Sequence, residues 1–250
     1  MRRVRHLLIP FALIVGSSVL AAAEEQKLHS AINPVSRGGG WMARHQRMNA
    51  RVKKGNVDLV FIGDSITQGW EGSGKAVWDE YYASRNAVNL GISGDRTQHV
   101  LWRLDHGNID GISPKVAVIL IGTNNSNGQD NTVAEIADGI RAIVAKLRTE
   151  LPEMDVLLLD IFPRGADTNP QRGKILQVNQ IVRKLADRDE KVHYLAIGHH
   201  FAEDDGTISK DIMPDSLHLS PAGYQIWANA IDGKLREVMG EMESNGNPVL

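Results

Sequence analysis

Residues 57–70 read VDLVFIGDSITQGW, a stretch that predicts a buried strand running directly into a polar turn and a helix. Val57–Ile62 is a largely apolar run of strand length, interrupted only by Asp58, and Gly63 ends it. A strand that is apolar on both faces is typical of a parallel sheet covered by helices on both sides. The residues after Ser65 can begin the first of these helices.

The same pattern recurs along the chain. Four further apolar runs have strand length and are bounded by turn residues: Ala87–Leu90, Val116–Ile121, Val156–Ile161 and Val192–Ile197. Helix-length amphipathic segments accompany them: Trp41–Lys54, Thr132–Glu150, Gln171–Arg188 and Pro221–Met239. Five strands alternating with helices predict βαβ units in one doubly wound α/β domain, with any ligand site beyond the carboxyl ends of the strands.

Composition excludes several classes of function. The 250 residues carry 28 Lys and Arg against 30 Asp and Glu, so the net charge of −2 gives no electrostatic reason to expect nucleic acid as a partner. The absence of cysteine excludes disulfides, thiolate zinc sites and a cysteine nucleophile. No spacing typical of a metal site is present, so we expect neither a metal nor a cofactor.

The first residues are predicted to be a targeting segment. Residues 1–23 combine three Arg, a short apolar stretch and Ala21-x-Ala23, which favours a cleaved signal peptide over an N-terminal anchor helix. We therefore expect export to the periplasm or beyond, with no stable membrane anchor after cleavage. Residues 24–40 are predicted to be an extended N-terminal arm, 41–240 the folded domain, and 241–250 a flexible tail.

Polar residues follow the predicted strands. Ser65 is either a nucleophile at a helix N-terminus or an N-cap, and we assign the capping role to Asp64. Gly94 permits a close backbone turn, with Asp95 or Thr97 able to cap the next helix.

Two further strand ends and loops carry candidates. Asn124 is either a turn residue or an amide that donates to an oxyanion. In the last loop, Asp215 and His218 are three residues apart, so His218 could face Ser65 while Asp215 orients it. Alone, each would be an ordinary turn or surface residue. Their occurrence on neighbouring strand ends indicates a nucleophile, oxyanion donors, and a base with its orienting acid.

In these residues the chain resembles the GDSL/SGNH hydrolase superfamily. Its four blocks match Gly63-Asp64-Ser65, Gly94, Gly122-Thr123-Asn124 and Asp215-Ser216-Leu217-His218. Within the superfamily, the sequence is similar to that of the catalytic subunits of intracellular platelet-activating-factor acetylhydrolase. The similar stretches are Asn89–Leu104, Pro114–Asn125, Phe162–Gly165 with Asn169-Pro170, and Asp215–Tyr224.

The resemblance implies a flavodoxin-like sheet of order 2-1-3-4-5 and a metal-free ester hydrolase. Ser65 would be the nucleophile, His218 the general base and Asp215 the residue that holds His218. The oxyanion hole would consist of the backbone N–H groups of Ser65 and Gly94 with the side chain of Asn124.

The acyl group should be small. Ile66, Thr123 and Leu217 adjoin the candidate catalytic residues in sequence, and three branched side chains there leave space for little more than a methyl group. The resemblance implies the same pocket. We expect a serine esterase acting on short-chain, acetyl esters of a small molecule or glycan.

Alternatives stay open for both the substrate and the class of protein. A phospholipid-directed acetylhydrolase or lysophospholipase is the second enzyme hypothesis, and a flavodoxin-like binding module is the non-enzymatic one. The oligomeric state and the role of the N-terminal arm are also open.

Three other patterns carry less weight. The GxxxxGK pattern at 69–75 is followed by Ala76 where a phosphate loop needs Ser or Thr. His199-His200 is better explained as a loop than as a metal site. Trp70 and Trp78 follow the nucleophile in a Gly-rich segment and are predicted to form the rim of the site.

Overall fold

The computed structural model describes residues 28–241 and contains a five-stranded parallel sheet in the order β2-β1-β3-β4-β5. The strands are β1 Leu59–Gly63, β2 Ala87–Gly91, β3 Val116–Leu120, β4 Asp155–Leu159 and β5 Val192–Leu195. The predicted doubly wound class and strand order are thereby confirmed. The apolar runs located all five strands, although several strands end one or two residues away from the end of the run.

Seven helices accompany these strands within residues 28–241: α1 Gly40–Val52, α2 Ser65–Gln68, α3 Lys75–Tyr81, α4 Thr97–Leu104, α5 Val133–Glu150, α6 Pro170–Val182 and α7 Pro221–Met239. The predicted helix 171–188 is shorter than expected, because it passes into a 3-10 turn at Arg183–Leu185. The capping chemistry follows the sequence: Thr132 and Glu135 form a capping box on α5, and Ser220 caps α7.

Each face of the sheet has its own core. Successive strand residues point to opposite sides, so Val60 and Ile62 pack under α1, α4, α5 and α6, whereas Leu59 and Phe61 pack under α2, α3 and α7. All five residues of β1 are buried, as are those of β3. Burial on both faces explains why these strands read as continuous apolar runs.

Part of the N-terminal arm packs on its own domain. Ser30–Ile32 forms a 3-10 turn in which Ala31 is fully buried, and the Thr97 hydroxyl donates to the Ala31 carbonyl at 2.7 Å. The predicted signal peptide (1–23), the first four residues of the arm and nearly all of the predicted tail lie outside the described residues. Within 28–241, no helix is long and apolar enough to cross a membrane.

Two strand ends require glycine because the α2 segment crosses them closely. A Cβ on Gly91 would lie 2.7 Å from the Thr67 carbonyl carbon, and one on Gly63 would lie 2.9 Å from the Thr67 Cβ. Gly173, on the exposed side of α6, would meet nothing within 4 Å.

We therefore expect Gly91→Ala to lower the free energy of unfolding by about 1–3 kcal/mol, since backbone must move to admit the methyl group. Gly173→Ala is the control and should raise stability by roughly 0.5–1 kcal/mol through helix propensity. Urea unfolding of both variants measures the difference. Equal effects of the two substitutions would contradict the close approach of α2 to β2.

Candidate active site

Ser65 is the first residue of α2, directly beyond the end of β1. The Asp64 carboxylate caps this helix by accepting the Ile66 backbone N–H at 3.0 Å, which is the role expected for it. The Tyr224 hydroxyl donates to the Ile66 carbonyl at 2.7 Å and ties α2 to α7. Ser65 itself is half-buried, so its hydroxyl is held at a fixed place and remains accessible.

The loop before α7 brings His218 to Ser65. His218 Nε2 lies 2.9 Å from Ser65 Oγ, and its Nδ1 lies 2.6 Å from Asp215 Oδ2. The other Asp215 oxygen accepts the backbone N–H groups of Leu217 and His218 at 3.0 and 2.7 Å. Ser216 has φ +58°, the left-handed turn that folds the two ends of the segment together.

The charge state of Asp215 suits an orienting role. Partial burial opposes its ionisation, but hydrogen bonds from the side chain and backbone of His218 outweigh this effect and lower the pKa of the Asp215 carboxyl. A carboxylate on Nδ1 holds the imidazole so that Nε2 can accept the serine proton. This arrangement can generate a serine alkoxide for attack on a carbonyl carbon.

Gly94 and Asn124 lie on the turns after β2 and β3. Gly94 has φ +75°, a conformation that favours glycine. The Asn124 side chain is half-buried, and its Nδ2 donates one hydrogen to the Asp95 carbonyl at 2.9 Å. An amide nitrogen carries a second hydrogen, which is left to bind an oxyanion.

Residues 61–226, which contain all of these groups, match the model of the GDSL-like Lipase/Acylhydrolase family. The chain belongs to this family. It is therefore a carboxylic ester hydrolase.

Several known proteins are similar to this acylhydrolase in sequence or in fold. It is 37% identical over 219 residues to the platelet-activating factor acetylhydrolase IB subunit alpha1 of Homo sapiens, covering 88% of this chain and 93% of that relative. A GDSL-like lipase from Bacteroides thetaiotaomicron has a TM-score of 0.63 at 20% identity, covering 78% and 97% of the two chains. An acetyl xylan esterase has a TM-score of 0.59 at 22% identity, covering 69% and 96%. The last two likenesses concern the fold.

The three predicted acyl-pocket residues differ in exposure. Ile66 and Thr123 are buried, and Leu217 is half-buried against the same apolar cluster as Ile66. Arg164, which sequence reasoning missed, donates to the Thr123 carbonyl at 3.3 Å and to Asn127 Oδ1 at 3.0 Å. It fixes the turn after β3, and its place in Phe162–Gly165, a stretch that carries the resemblance, was a usable signal.

A groove opens beside the Ser65 hydroxyl in this acylhydrolase. Its volume is about 440 Å³, and its lining residues are Ser65, Gln68, Gly69, Glu71, Gly72 and Ser93. The large hydrophobic side chains that are exposed within 28–241, Leu28, Val35 and Leu176, are all absent from this lining. The lining of the groove therefore contains no large hydrophobic side chain.

Two sequence predictions about this region are wrong. Trp70 is fully buried, with its ring centroid 4.5 Å from Tyr224 and 5.0 Å from Trp227, so it belongs to the core. Trp78 packs on Phe61, with ring centroids 5.1 Å apart, and does not line the groove beside Ser65. The Gly-rich segment folds into short helices whose apolar side turns inward, and this buries Trp70 fully and Trp78 partly.

Asp95 also differs from its predicted role as a helix cap. The residue before α4 is Arg96, whereas the Asp95 side chain is fully buried and accepts hydrogen bonds from Arg103 Nε at 2.9 Å and Trp41 Nε1 at 2.6 Å. Burial raises the pKa of the Asp95 carboxyl, while the Arg103 charge acts in the opposite direction. No sequence signal paired these residues, because an aspartate in a turn before a helix ordinarily reads as a cap.

No metal site is evident in the described part of the chain: residues 28–241 hold no group of three or more His, Asp or Glu placed to bind an ion. His199 and His200 lie against each other with ring centroids 3.9 Å apart.

Asp64 is a buried carboxyl next to Ser65. Burial raises its pKa to about 7, and the nearby Asp95 adds to this, while the Ile66 N–H, His218 and Arg164 act in the opposite direction. Its Oδ2 is buried without a hydrogen-bond partner among the described residues. Ionisation of Asp64 therefore costs folding free energy.

Because the pKa of folded Asp64 lies above that of an unfolded aspartate, the native state holds the proton more tightly. The contribution of Asp64 to stability is full below the ordinary value of 3.8 and is lost as pH rises through about 7. Asp64→Asn keeps the capping oxygen and cannot ionise, so we expect it to gain roughly 2–4 kcal/mol over the parent at pH 8 and little at pH 4.

Denaturant unfolding at several pH values measures this difference. Asp204→Asn removes a carboxylate from an exposed position and is the matched control. A gain for Asp64→Asn that is the same at pH 4 and pH 8 would show that Asp64 does not become protonated on folding.

Proposed function

We propose that this esterase removes acetyl groups from hydroxyls of a hydrophilic alcohol, carbohydrates foremost, through an acyl-enzyme on Ser65. The observation that carries the proposal is the continuous hydrogen-bonded series from Asp215 through His218 to Ser65, at 2.6 and 2.9 Å. A binding module has no need of this series, so it disfavours the flavodoxin-like binding alternative.

The proposed reaction proceeds in two steps. Ser65 Oγ attacks the acetyl carbonyl carbon while His218 Nε2 accepts its proton, and the carbonyl oxygen becomes an oxyanion that Asn124 Nδ2 and the N–H groups of Ser65 and Gly94 bind. The intermediate collapses, His218 protonates the leaving alcohol, and acetyl-Ser65 remains. A water molecule, deprotonated by His218, then releases acetate and restores Ser65.

Two observations support an acetyl group as the substrate's acyl part. Ile66 and Thr123 adjoin Ser65 and Asn124 in the chain and are buried, so in this proposal their methyl groups limit the space for the acyl chain. Relatives that share 37% of the sequence are named acetylhydrolases.

The groove beside Ser65 and the predicted signal peptide both support a hydrophilic alcohol. The groove beside Ser65 is lined by glycine, serine, glutamine and glutamate, which suits hydroxyl-rich ligands and provides no large hydrophobic side chain for a lipid chain to pack on. Residues 1–23, predicted to be an export signal, would deliver the enzyme to the periplasm or beyond, where envelope and extracellular glycans occur. The name of the same relatives favours a second candidate, an acetylated phospholipid.

We expect the rate to fall steeply with acyl length. Each added methylene in a filled pocket costs about 1–3 kcal/mol, so kcat/KM for p-nitrophenyl acetate should exceed that for butyrate by at least about tenfold, with octanoate nearly inert. Acetylated xylan, acetylated amino sugars and an acetyl phospholipid, assayed in parallel, decide between the glycan and lipid candidates.

Ser65→Ala is the control for this series and should abolish turnover of every ester while the protein stays folded. Faster hydrolysis of octanoate than of acetate would refute the small acyl pocket and favour a lysophospholipase. Activity confined to the acetyl phospholipid would overturn the glycan proposal alone.

The oxyanion donor and the orienting acid have distinct kinetic signatures. Asn124→Ala should lower kcat about 10²–10³-fold with little change in KM, because its amide acts in the transition state. Asp215→Asn should lower kcat on the order of 10⁴-fold, because the imidazole loses its orienting carboxylate. Asn229→Ala removes an exposed amide on α7 and should leave kcat unchanged. A change confined to KM in Asn124→Ala would assign that residue to substrate binding.

A further inference from the structure

We propose that Arg37, in the N-terminal arm, is a positioning residue for the oxyanion hole, holding the Gly94 turn from the solvent side while Arg103 holds it from the core side. The inference rests on the proposed function, since it concerns the N–H groups expected to bind the oxyanion.

The Gly94 turn has little internal structure of its own. The Asp95 N–H donates to the Ile92 carbonyl at 3.1 Å, which closes a tight turn around Gly94, and the Ser93 N–H donates to Gln68 Oε1 at 2.8 Å. The proposed donor, the Gly94 N–H, therefore lies at the tip of a turn between two flanking contacts. Its direction depends on what fixes Ser93 and Asp95.

Arg103 fixes the core side of this turn. It is fully buried and donates from Nε to the Asp95 carboxylate at 2.9 Å. Its Nη2 donates to the Gly63 carbonyl, at the end of β1, at 3.4 Å. The Asp95 carbonyl in turn accepts Asn124 Nδ2 at 2.9 Å. Asp95 thus links the second proposed donor, Asn124, to the same buried guanidinium.

Arg37 fixes the solvent side. Its Nη1 donates to the Ser93 carbonyl at 2.9 Å and lies 3.6 Å from Asp95 Oδ1, so one guanidinium contacts the residues on both sides of Gly94. A Cβ placed on Gly94 would lie 3.0 Å from Nη1, which shows that the guanidinium lies directly against the turn. The Arg37 side chain is 40% exposed and can be replaced without opening the core.

The arm delivers Arg37 to this place by its own contacts with the domain. The Val35 N–H donates to the Gln98 carbonyl at 3.3 Å, and the buried Ala31 accepts the Thr97 hydroxyl at 2.7 Å. Both partners belong to α4, the helix that follows the Gly94 turn. The segment before the family-matched region, 61–226, therefore contributes to the geometry of the proposed site.

Positioning and simple attraction of charge have different signatures. If Arg37 acts through its two-sided contact, Arg37→Gln and Arg37→Lys should both lower kcat. Both contacts come from one terminal nitrogen, Nη1, and the lysine side chain keeps the charge but is one bond too short to place its ammonium there. If only its charge matters, Arg37→Lys should retain the parent rate. A loosened donor weakens transition-state binding and leaves substrate binding nearly intact, so the loss should fall on kcat and not on KM.

The experiment compares the full-length parent with Arg37→Gln, Arg37→Lys and Arg96→Gln in p-nitrophenyl acetate hydrolysis. Arg96 is the matched control, because it lies next to Asp95 in the chain but directs its charge to Asp130 on the surface. We expect Arg37→Gln to lower kcat about tenfold with KM within about twofold, Arg37→Lys to lose most of the same activity, and Arg96→Gln to match the parent.

A second readout uses a trifluoromethyl ketone analogue of the acetyl ester, which adds the Ser65 hydroxyl and forms an oxyanion in the same hole. Its inhibition constant should rise across the variants by the factor by which kcat/KM falls. Melting temperatures of all variants establish that they are folded under the assay conditions.

The outcomes separate the two proposals. Turnover by Ser65→Ala would overturn the proposed function. An inactive Ser65→Ala together with a parental kcat for Arg37→Gln, an equal loss in Arg96→Gln, full activity of Arg37→Lys, or an effect on KM alone would overturn the positioning role of Arg37 and leave the proposed function standing.

Discussion

The parallel register of the three neighbouring strands β2, β1 and β3 is the constraint on which the candidate site depends. Gly63 at the end of β1 pairs with Gly91 of β2 on one side and with Leu120 of β3 on the other. The three turns therefore leave the sheet at one level, and Ser65, Gly94 and Asn124 follow within a few residues of it. The backbone hydrogen bonds between these strands therefore bring the proposed catalytic groups to one edge of the sheet.

The same edge concentrates buried charge, which is costly in isolation. Asp64, Asp95 and Arg103 are all fully buried. Asp95 and Arg103 form an ion pair. Replacing a buried ion pair by apolar residues is often neutral or stabilising, whereas removing one partner lowers the free energy of unfolding by about 3–5 kcal/mol. The pair is thus poorly explained by stability alone. Its contacts to the Gly63 carbonyl and, through Asp95, to Asn124 are directional, which apolar side chains could not provide.

Much of the fold and of the candidate site could be predicted from local sequence. Val116–Leu120 is buried on both faces and reads as an apolar run for that reason. Asp64 behaves as the cap its position suggests. The meeting of Ser65 with His218, 153 positions away, followed from the strand-end pattern and the family resemblance, since neither residue alone carried it.

Local sequence could not predict contacts between residues that belong to different layers of the fold. Trp70 was misplaced because short helices with glycines at their ends show no amphipathic period. Asp95 was misplaced because its partner, Arg103, reaches it from the buried side of α4. The arm showed no periodicity, so its packing on α4 depended on single contacts such as that of Thr97 with Ala31, which have no signature in sequence.

The two sides of the proposed site differ in how they can select a substrate. On the proposed acyl side, Ile66 and Thr123 are buried, and one added methylene in such well-packed surroundings is costly. On the alcohol side, the groove carries Gln68 and Glu71, both of which already have protein partners in Ser93 and Arg44. In these contacts Gln68 uses only its carbonyl oxygen, and each Glu71 oxygen keeps a further lone pair, so a hydroxyl can add hydrogen bonds there. Each such bond contributes about 0.5–1.5 kcal/mol, whereas a misfitting methylene costs about 1–3 kcal/mol, so we expect this enzyme to discriminate more strongly by the acyl group than by the alcohol.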